Sequence, residues 1–192
     1  MNTHPPLQSF LQHHTTLTPQ EYALVSQYAE TTAIEAGHVL LSEGKIAKKL
    51  FFVNDGYLKI VTTNEKGNDV IQFFIKPHKF CTILYSFKEN VPSQESILAA
   101  TDASITFFTK ENLAQLYSEL PHLQEAIERI THNELLSKIQ ARNQLMGEEA
   151  TIRYQRLVAN NPDLLQHVPL SDIASFLGIT QQSLSRIRKS IS

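Results

Sequence analysis

The sequence predicts an α+β chain: an N-terminal antiparallel β jelly roll, one long helix, and a C-terminal helix-turn-helix that lacks a full C-terminal wing. Three observations predict it. Between Thr31 and Lys110, short β-type runs alternate with turn residues. After Pro121, no proline or glycine interrupts a helical pattern until Gly147. The segment Val168–Ile191 then reads as two short amphipathic helices joined at Gly178.

The elements follow in order. A short helix is expected from Pro6 to about His13. Thr18-Pro19-Gln20-Glu21 has the form of a capping box with proline at the first helical position, and opens a helix to about Tyr28. The expected strands are Val39–Leu41, Leu50–Val53, Tyr57–Thr63, Val70–Ile75, Ser96–Ala100 and Ile105–Phe108. Turn signals separate them: Ala36-Gly37, Glu43-Gly44, Asn54-Asp55-Gly56, Glu65-Lys66-Gly67-Asn68 and Thr101-Asp102. Many short strands at this spacing point to an antiparallel sandwich or jelly roll. Beyond Lys110 the pattern turns helical. One helix runs from Glu111 to about Glu119, and the next from Pro121 to about Met146.

That last helix is long for a domain of this size. Leu123, Ile127, Ile130, Leu136, Ile139 and Met146 form a seam along it, with Asn133 and Asn143 in the same stripe. It could pack lengthwise on its own β-domain. The favoured reading is a homodimer helix, with the asparagines fixing register. Gly147-Glu148-Glu149 reads as a hinge. A helix from about Glu149 to Asn160, with Tyr154, Leu157 and Val158 facing inward, ends at Asn161-Pro162-Asp163. The expected units are a β-roll sensor domain (1–120), a dimerisation helix and hinge (121–147) and a helix-turn-helix domain (148–192).

Composition narrows the classes. Apolar residues make up 42% of 192 residues, enough for a real core, and the net charge is −2. The charge is unevenly placed. From Ala150 onward five Lys or Arg face two Asp, whereas the rest of the chain is acidic. A basic tail on an acidic body suits nucleic-acid contact confined to the C-terminus. The single cysteine, Cys81, excludes an internal disulfide. No signal peptide or membrane-spanning run is expected, and a cytoplasmic location is.

The C-terminal segment carries the most specific chemistry. Ser171 is expected to cap its first helix, with Ile173, Ala174 and Leu177 inward. Thr180 is expected to cap the second, on which Leu184, Ile187 and Ile191 form the buried stripe. The opposite face carries Gln182, Ser185, Arg186 and Lys189, none apolar and none acidic. Such a face suits the major groove of double-stranded DNA, where Gln pairs with adenine and Arg with guanine. Gln182, Ser185 and Arg186 are the candidates for base edges, with Gln181 in reach at the helix start. Ser183, Arg188 and Lys189 are the candidates for phosphates.

A jelly roll, a long dimer helix and a C-terminal helix-turn-helix together resemble the Crp-Fnr superfamily of bacterial transcription regulators. The residues that carry the resemblance are Gly37, Gly44, Leu50-Phe-Phe-Val-Asn-Asp-Gly56-Tyr-Leu-Lys-Ile and Lys66-Gly67, then Ser183-Leu-Ser-Arg-Ile-Arg-Lys. The resemblance implies a cyclic-nucleotide-binding-like sensor domain, a homodimer on near-palindromic operators and contact with RNA polymerase.

The sequence also departs from that family. In its nucleotide-binding members a phosphate cassette follows the strand that ends here at Phe80. It has a Gly-Glu pair and then an arginine followed by Ser, Thr or Ala. Here the pair position holds Thr82-Ile83, and the arginine position falls near Gln94-Glu95, before Ser96. No arginine precedes Arg129. A carboxylate there repels a phosphate, and Lys79 or Lys88 would lack the bidentate fork. Neither cyclic AMP nor cyclic GMP is expected to bind, and no cofactor is expected, although an unknown small-molecule effector remains compatible. One cysteine is too few for an iron–sulfur sensor. The histidines (4, 13, 14, 38, 78, 122, 132 and 167) show no metal-ligand spacing, and His38 with His78 does not make a cupin metal set. No catalytic constellation is legible, so no enzyme is expected. The alternative reading is a ligand-binding sensor or protein-interaction module whose C-terminal helices no longer bind DNA.

Overall fold

The computed structural model describes residues 4–65, 67–145 and 147–191. The chain begins with two helices, α1 (Pro5–His14) and α2 (Pro19–Tyr28). Then come β1 (Glu30–Ile34), β2 (Val39–Leu41), β3 (Lys49–Asp55), β4 (Leu58–Thr63), β5 (Asp69–Ile75) and β6 (Phe80–Cys81). A short helix α3 (Leu84–Glu89) leads into β7 (Ser96–Ala99) and β8 (Ala103–Thr109). Helices α4 (Lys110–Glu119) and α5 (Pro121–Leu145) follow. The chain finishes with α6 (Ala150–Asn160), α7 (Leu164–His167), α8 (Leu170–Phe176) and α9 (Gln181–Ile191).

Among the described residues the strands form two four-stranded sheets, ordered β1-β8-β3-β6 and β2-β7-β4-β5, with every pairing antiparallel. They face each other as the expected jelly roll. Strand β3 shows why four apolar residues stand in a row. Side chains alternate across a strand. Phe51 and Val53 therefore point into the inter-sheet core with Ile60, Ile97 and Ile105. Leu50 and Phe52 point the other way, into a second core against α1, α2, α4 and α5. The strand is buried on both sides and has no polar face to show.

The capping box forms as expected: the Glu21 N–H donates to Thr18 Oγ1 (3.2 Å) and the Thr18 N–H to Glu21 Oε2 (2.8 Å). Gly56 turns β3 into β4 at φ +78°, and a Cβ there would lie 2.3 Å from the Asp102 carbonyl oxygen. Only glycine fits this turn.

Part of the expected seam on α5 belongs to the interior. Leu123, Ile127 and Ile130 are at most 5% exposed and pack with α1, α2 and α4 in their own chain. This corrects their assignment to a partner contact: the first half of α5 is a core helix because the N-terminal helices cover it. The second half of the stripe is open instead: Leu136 and Ile139 are 44% and 46% exposed, and Asn133 and Asn143 are exposed as well. Leu135, 41% exposed, joins them unforeseen. Met146 lies outside the described residues.

The C-terminal helices build their own core from Tyr154, Leu157, Leu164, Val168, Ile173, Ala174, Leu177 and Leu184, and two β-roll residues, Tyr57 and Ala100, are part of it. Helix α8 lies along β5. The Ile71 N–H donates to Ser175 Oγ (3.2 Å), and that hydroxyl donates to the Asp69 carbonyl (3.3 Å). The edge of the sheet is thus covered by a helix side chain rather than left bare. Lys59 and Asp172 pair at 2.6 Å, and Phe74 packs on Phe176. Among the described residues no helix is long and apolar enough to cross a membrane.

Candidate nucleic-acid interface and ligand pocket

Helix α9 is built as its pattern requires. The Ser183 N–H donates to Thr180 Oγ1 (3.1 Å), so Thr180 caps the helix. Gly178 turns the chain before it at φ +65°, and the Ile179 N–H reaches back to the Ala174 carbonyl (3.0 Å). Leu184 is fully buried against the other C-terminal helices, and Ile187 is half-buried. Two expectations change. Helix α8 starts at Leu170 with Pro169 at its cap, so Ser171 sits inside the first turn and does not cap. Ile191 is 43% exposed, because the helix outruns the small core that its earlier stripe covers.

Gln181, Gln182, Ser185, Arg186, Arg188 and Lys189 are all exposed. Ser183 is half-buried, and its hydroxyl lies 3.0 Å from Thr180 Oγ1. Capping therefore draws Ser183 away from the phosphate role expected for it. No acidic residue stands in the first turn of α9, and Arg188 and Lys189 stand in the last. The helix N-terminus, with its partial positive charge, and the basic side chains give one face a favourable field for a polyanion.

Of the cassette positions, Phe80, Thr82, Ile83 and Glu95 line a separate pocket of about 200 Å³ between the β-roll and α5, and Gln94 and Ser96 do not. Leu50, Ile60, Phe73, Phe80, Ile83 and Leu135 make it largely apolar. Thr82 donates its hydroxyl to the Lys49 carbonyl (2.9 Å), and Ile83 is buried at the start of α3. At the polar end the Gln94 N–H donates to the Tyr85 hydroxyl (2.6 Å), which donates to Glu95 Oε2 (2.8 Å). Ser96 Oγ accepts the Glu43 N–H (2.8 Å). A tyrosine–carboxylate pair thus stands where the resemblance places an arginine. Lys79 is paired with Glu134, and Lys88 is exposed at the far end of α3 and does not line the pocket. Cys81 lines the wall, and burial pushes its thiol up to about 11, which keeps it protonated and inert near neutrality.

No residue pattern announces the domain junction. Lys59, Tyr57, Phe74 and Ser175 each read as an ordinary strand or helix residue, and only the docking of α8 on β5 brings them together.

Residues 31–119 match the cyclic nucleotide-binding domain family. No curated protein matches the chain. Several solved structures share the fold of nearly the whole chain. CLP, a c-di-GMP responsive global regulator from Xanthomonas campestris, is 15% identical with a TM-score of 0.72, covering 91% of each chain. FixK2 from Bradyrhizobium japonicum is 15% identical with a TM-score of 0.69, covering 85% of this chain and 84% of its own. A Eubacterium rectale protein assigned to the crp/fnr family of transcriptional regulators is 14% identical, with a TM-score of 0.69 over 91% of this chain and 83% of its own. The fold that the sequence resemblance implied is therefore present: residues 31–119 match the cyclic nucleotide-binding domain, and the chain shares its fold with solved structures of this kind.

Proposed function

We propose that this chain, with its Crp/Fnr-type architecture, is a transcription regulator that binds operator DNA as a homodimer through α9, and that its β-roll pocket does not take a cyclic nucleotide. The observation that carries the reading is the two-sidedness of α9: Leu184 and Ile187 are held inside, while Gln182, Ser185, Arg186 and Lys189 stand outside with no carboxylate among them. Side chains one helical turn apart reach successive base edges in a major groove. The exposed Leu136 and Ile139 on the second half of α5 supply an apolar face for a second copy, which gives the two half-site readers such proteins need.

The pocket supports the second half of the proposal on two grounds. An apolar cavity of about 150 Å³ holds benzene. This pocket opens to one side, and its sheltered part, about 200 Å³ with mostly apolar walls, is small beside a purine, ribose and phosphate together. Glu95 also presents negative charge where a phosphate would arrive, which costs binding energy rather than supplying it.

Selection from a random duplex library tests the DNA reading. The wild type enriches a motif. Arg186→Ala loses about 1–3 kcal/mol and relaxes one base pair per half-site, whereas Lys189→Ala weakens all sequences alike and flattens the salt dependence. If no motif is enriched, with or without cell extract to supply an effector, the chain is a sensor or interaction module that does not read DNA. Calorimetry with cyclic AMP and cyclic GMP should show no saturable heat at micromolar concentration, and a micromolar dissociation constant for either refutes the pocket assignment.

A further inference from the structure

A second cavity lies at the junction of the three parts of the chain. It measures about 360 Å³ and is walled by the end of β5, the middle of α5 and the α6–α8 side of the C-terminal core. That size falls among small-molecule sites, which favour domain junctions and apolar walls with a few placed polar groups. Its body is aromatic and aliphatic: Phe73 and Phe74 from β5, Leu157 from α6, Leu164 from α7 and Phe176 from α8.

Its charges do not cancel. Lys76, Lys79, Lys138 and Glu134 all line it. Glu134 is already matched by Lys79. Among the described residues neither Lys76 nor Lys138 has a carboxylate partner. The Lys76 ammonium donates to the Asn160 carbonyl at the end of α6 (3.2 Å), and the Lys138 ammonium stands 5.8 Å from the centre of the Phe73 ring. Two ammonium groups, one on the β-roll and one on α5, therefore flank an aromatic cleft whose single carboxylate is spent. Charge-assisted hydrogen bonds from such groups are stronger than neutral ones, and a partly desolvated site strengthens them further.

We propose that this cleft binds a small organic anion with an aromatic body, its acidic group between Lys76 and Lys138 and its ring among Phe73, Phe74 and Phe176. A ligand there touches the β-roll, α5 and the C-terminal helices at once, so its occupancy fastens the C-terminal helices to the β-roll. The proposal does not rest on α9 binding DNA, and its test contains no DNA.

The probe is 8-anilinonaphthalene-1-sulfonate, an aromatic sulfonate whose fluorescence rises on burial, set against N-phenyl-1-naphthylamine, the same ring system without the sulfonate. The chain has no tryptophan. Phe176→Trp therefore places a lone indole at the cleft, and energy transfer from it reports that the dye is bound nearby, while the lysine and Glu95 variants tell this cleft from the adjoining pocket. The expected result is one dye per chain, energy transfer, and an uncharged analogue bound at least about tenfold more weakly. Lys76→Gln and Lys138→Gln should each weaken the dye by about tenfold with an unchanged circular dichroism spectrum. Glu95→Gln, in the other pocket, should leave dye affinity as it was, which matters because Phe73, Glu134 and Lys138 line both cavities. Equal binding of the uncharged analogue, wild-type affinity in both lysine variants, or absence of energy transfer overturns the proposal.

Discussion

The pair between Lys59 on β4 and Asp172 in the first turn of α8 offers a measurable handle on how the C-terminal helices are held. Its atoms approach to 2.6 Å, and the two side chains are 19% and 18% exposed. Fully exposed pairs contribute about 0.2–1 kcal/mol. Removing one partner of a buried pair costs about 3–5 kcal/mol, because the other charge is stranded. A pair four-fifths removed from water lies between these limits, and Asp172 gains a little more from the positive end of α8. The expected coupling is about 1–2 kcal/mol. It is read from a double-mutant cycle of Lys59→Met, Asp172→Asn and the double variant, each unfolded in urea. The isosteric amide and the straight apolar chain keep packing nearly constant, so the cycle isolates the charge term. Hydrogen exchange gives a second, local readout. The Ile71 amide is bonded to Ser175 Oγ on the same helix, so its protection should fall in Asp172→Asn while amides in β3 keep theirs. A coupling below about 0.3 kcal/mol, within ordinary additivity error, would refute the reasoning. So would unchanged protection at Ile71.

Three further outcomes follow from the geometry. Leu136→Asp with Ile139→Asp should yield monomers in sedimentation without loss of helix content, since both side chains are exposed in the single chain; a dimer of unchanged affinity removes α5 as the interface. Gly56→Ala should cost about 3 kcal/mol, from left-handed strain plus the clash with Asp102 and Ala103, whereas Gly37→Ala, with open space around it, should cost about 1 kcal/mol; equal losses in thermal unfolding would contradict the close approach. His4 is 4% exposed, and burial lowers its pKa below the ordinary 6.5. The unfolded chain then takes up the proton first, so stability is full above pH 6.5 and declines as the pH falls through 6.5 toward the folded value. His4→Gln should flatten that decline, leaving the share due to His14, whose pKa burial also lowers; a decline unchanged in the variant removes His4 as its source.

How much of this was legible in the sequence depends on where each residue's partner lies. The strands around Phe51, Ile60, Ile71, Ile97 and Ile105 announced themselves because apolar runs bounded by turn residues need only local pattern. Strand β1 did not, because its first four residues are exposed and give no alternation. Strand β6 spans only Phe80–Cys81, too short for any period. On α5 the pattern gave the right stripe but not its audience. Ile130 and Ile139 look alike in sequence, yet α1 and α2 cover the first and leave the second open. At the cassette positions the departure from the family's pattern, Thr82-Ile83 and Glu95, was legible as a change of residue type. The Tyr85 hydroxyl that holds Glu95 was not, because it comes from a helix the pattern did not reveal.

Strand β5 makes the two cavities and the C-terminal helices parts of one arrangement. Alternate side chains of a strand face opposite ways. Phe73 turns toward the β-roll core and lines the pocket beneath α3, while Phe74, next to it, packs on Phe176 and joins the C-terminal core. The strand is paired with β4 on one edge, and on the other its backbone is held by Ser175. A close-packed interior transmits displacement rather than absorbing it. A ligand that moves Phe73 must either compress the β-roll or carry β5 with it, and α8 is fastened to β5 by a hydroxyl bridge, a ring contact and, through β4, an ion pair. Helix α9 packs through Leu184 on the same core as Ile173 and Ala174 of α8, so its exposed face takes its direction from where α8 sits.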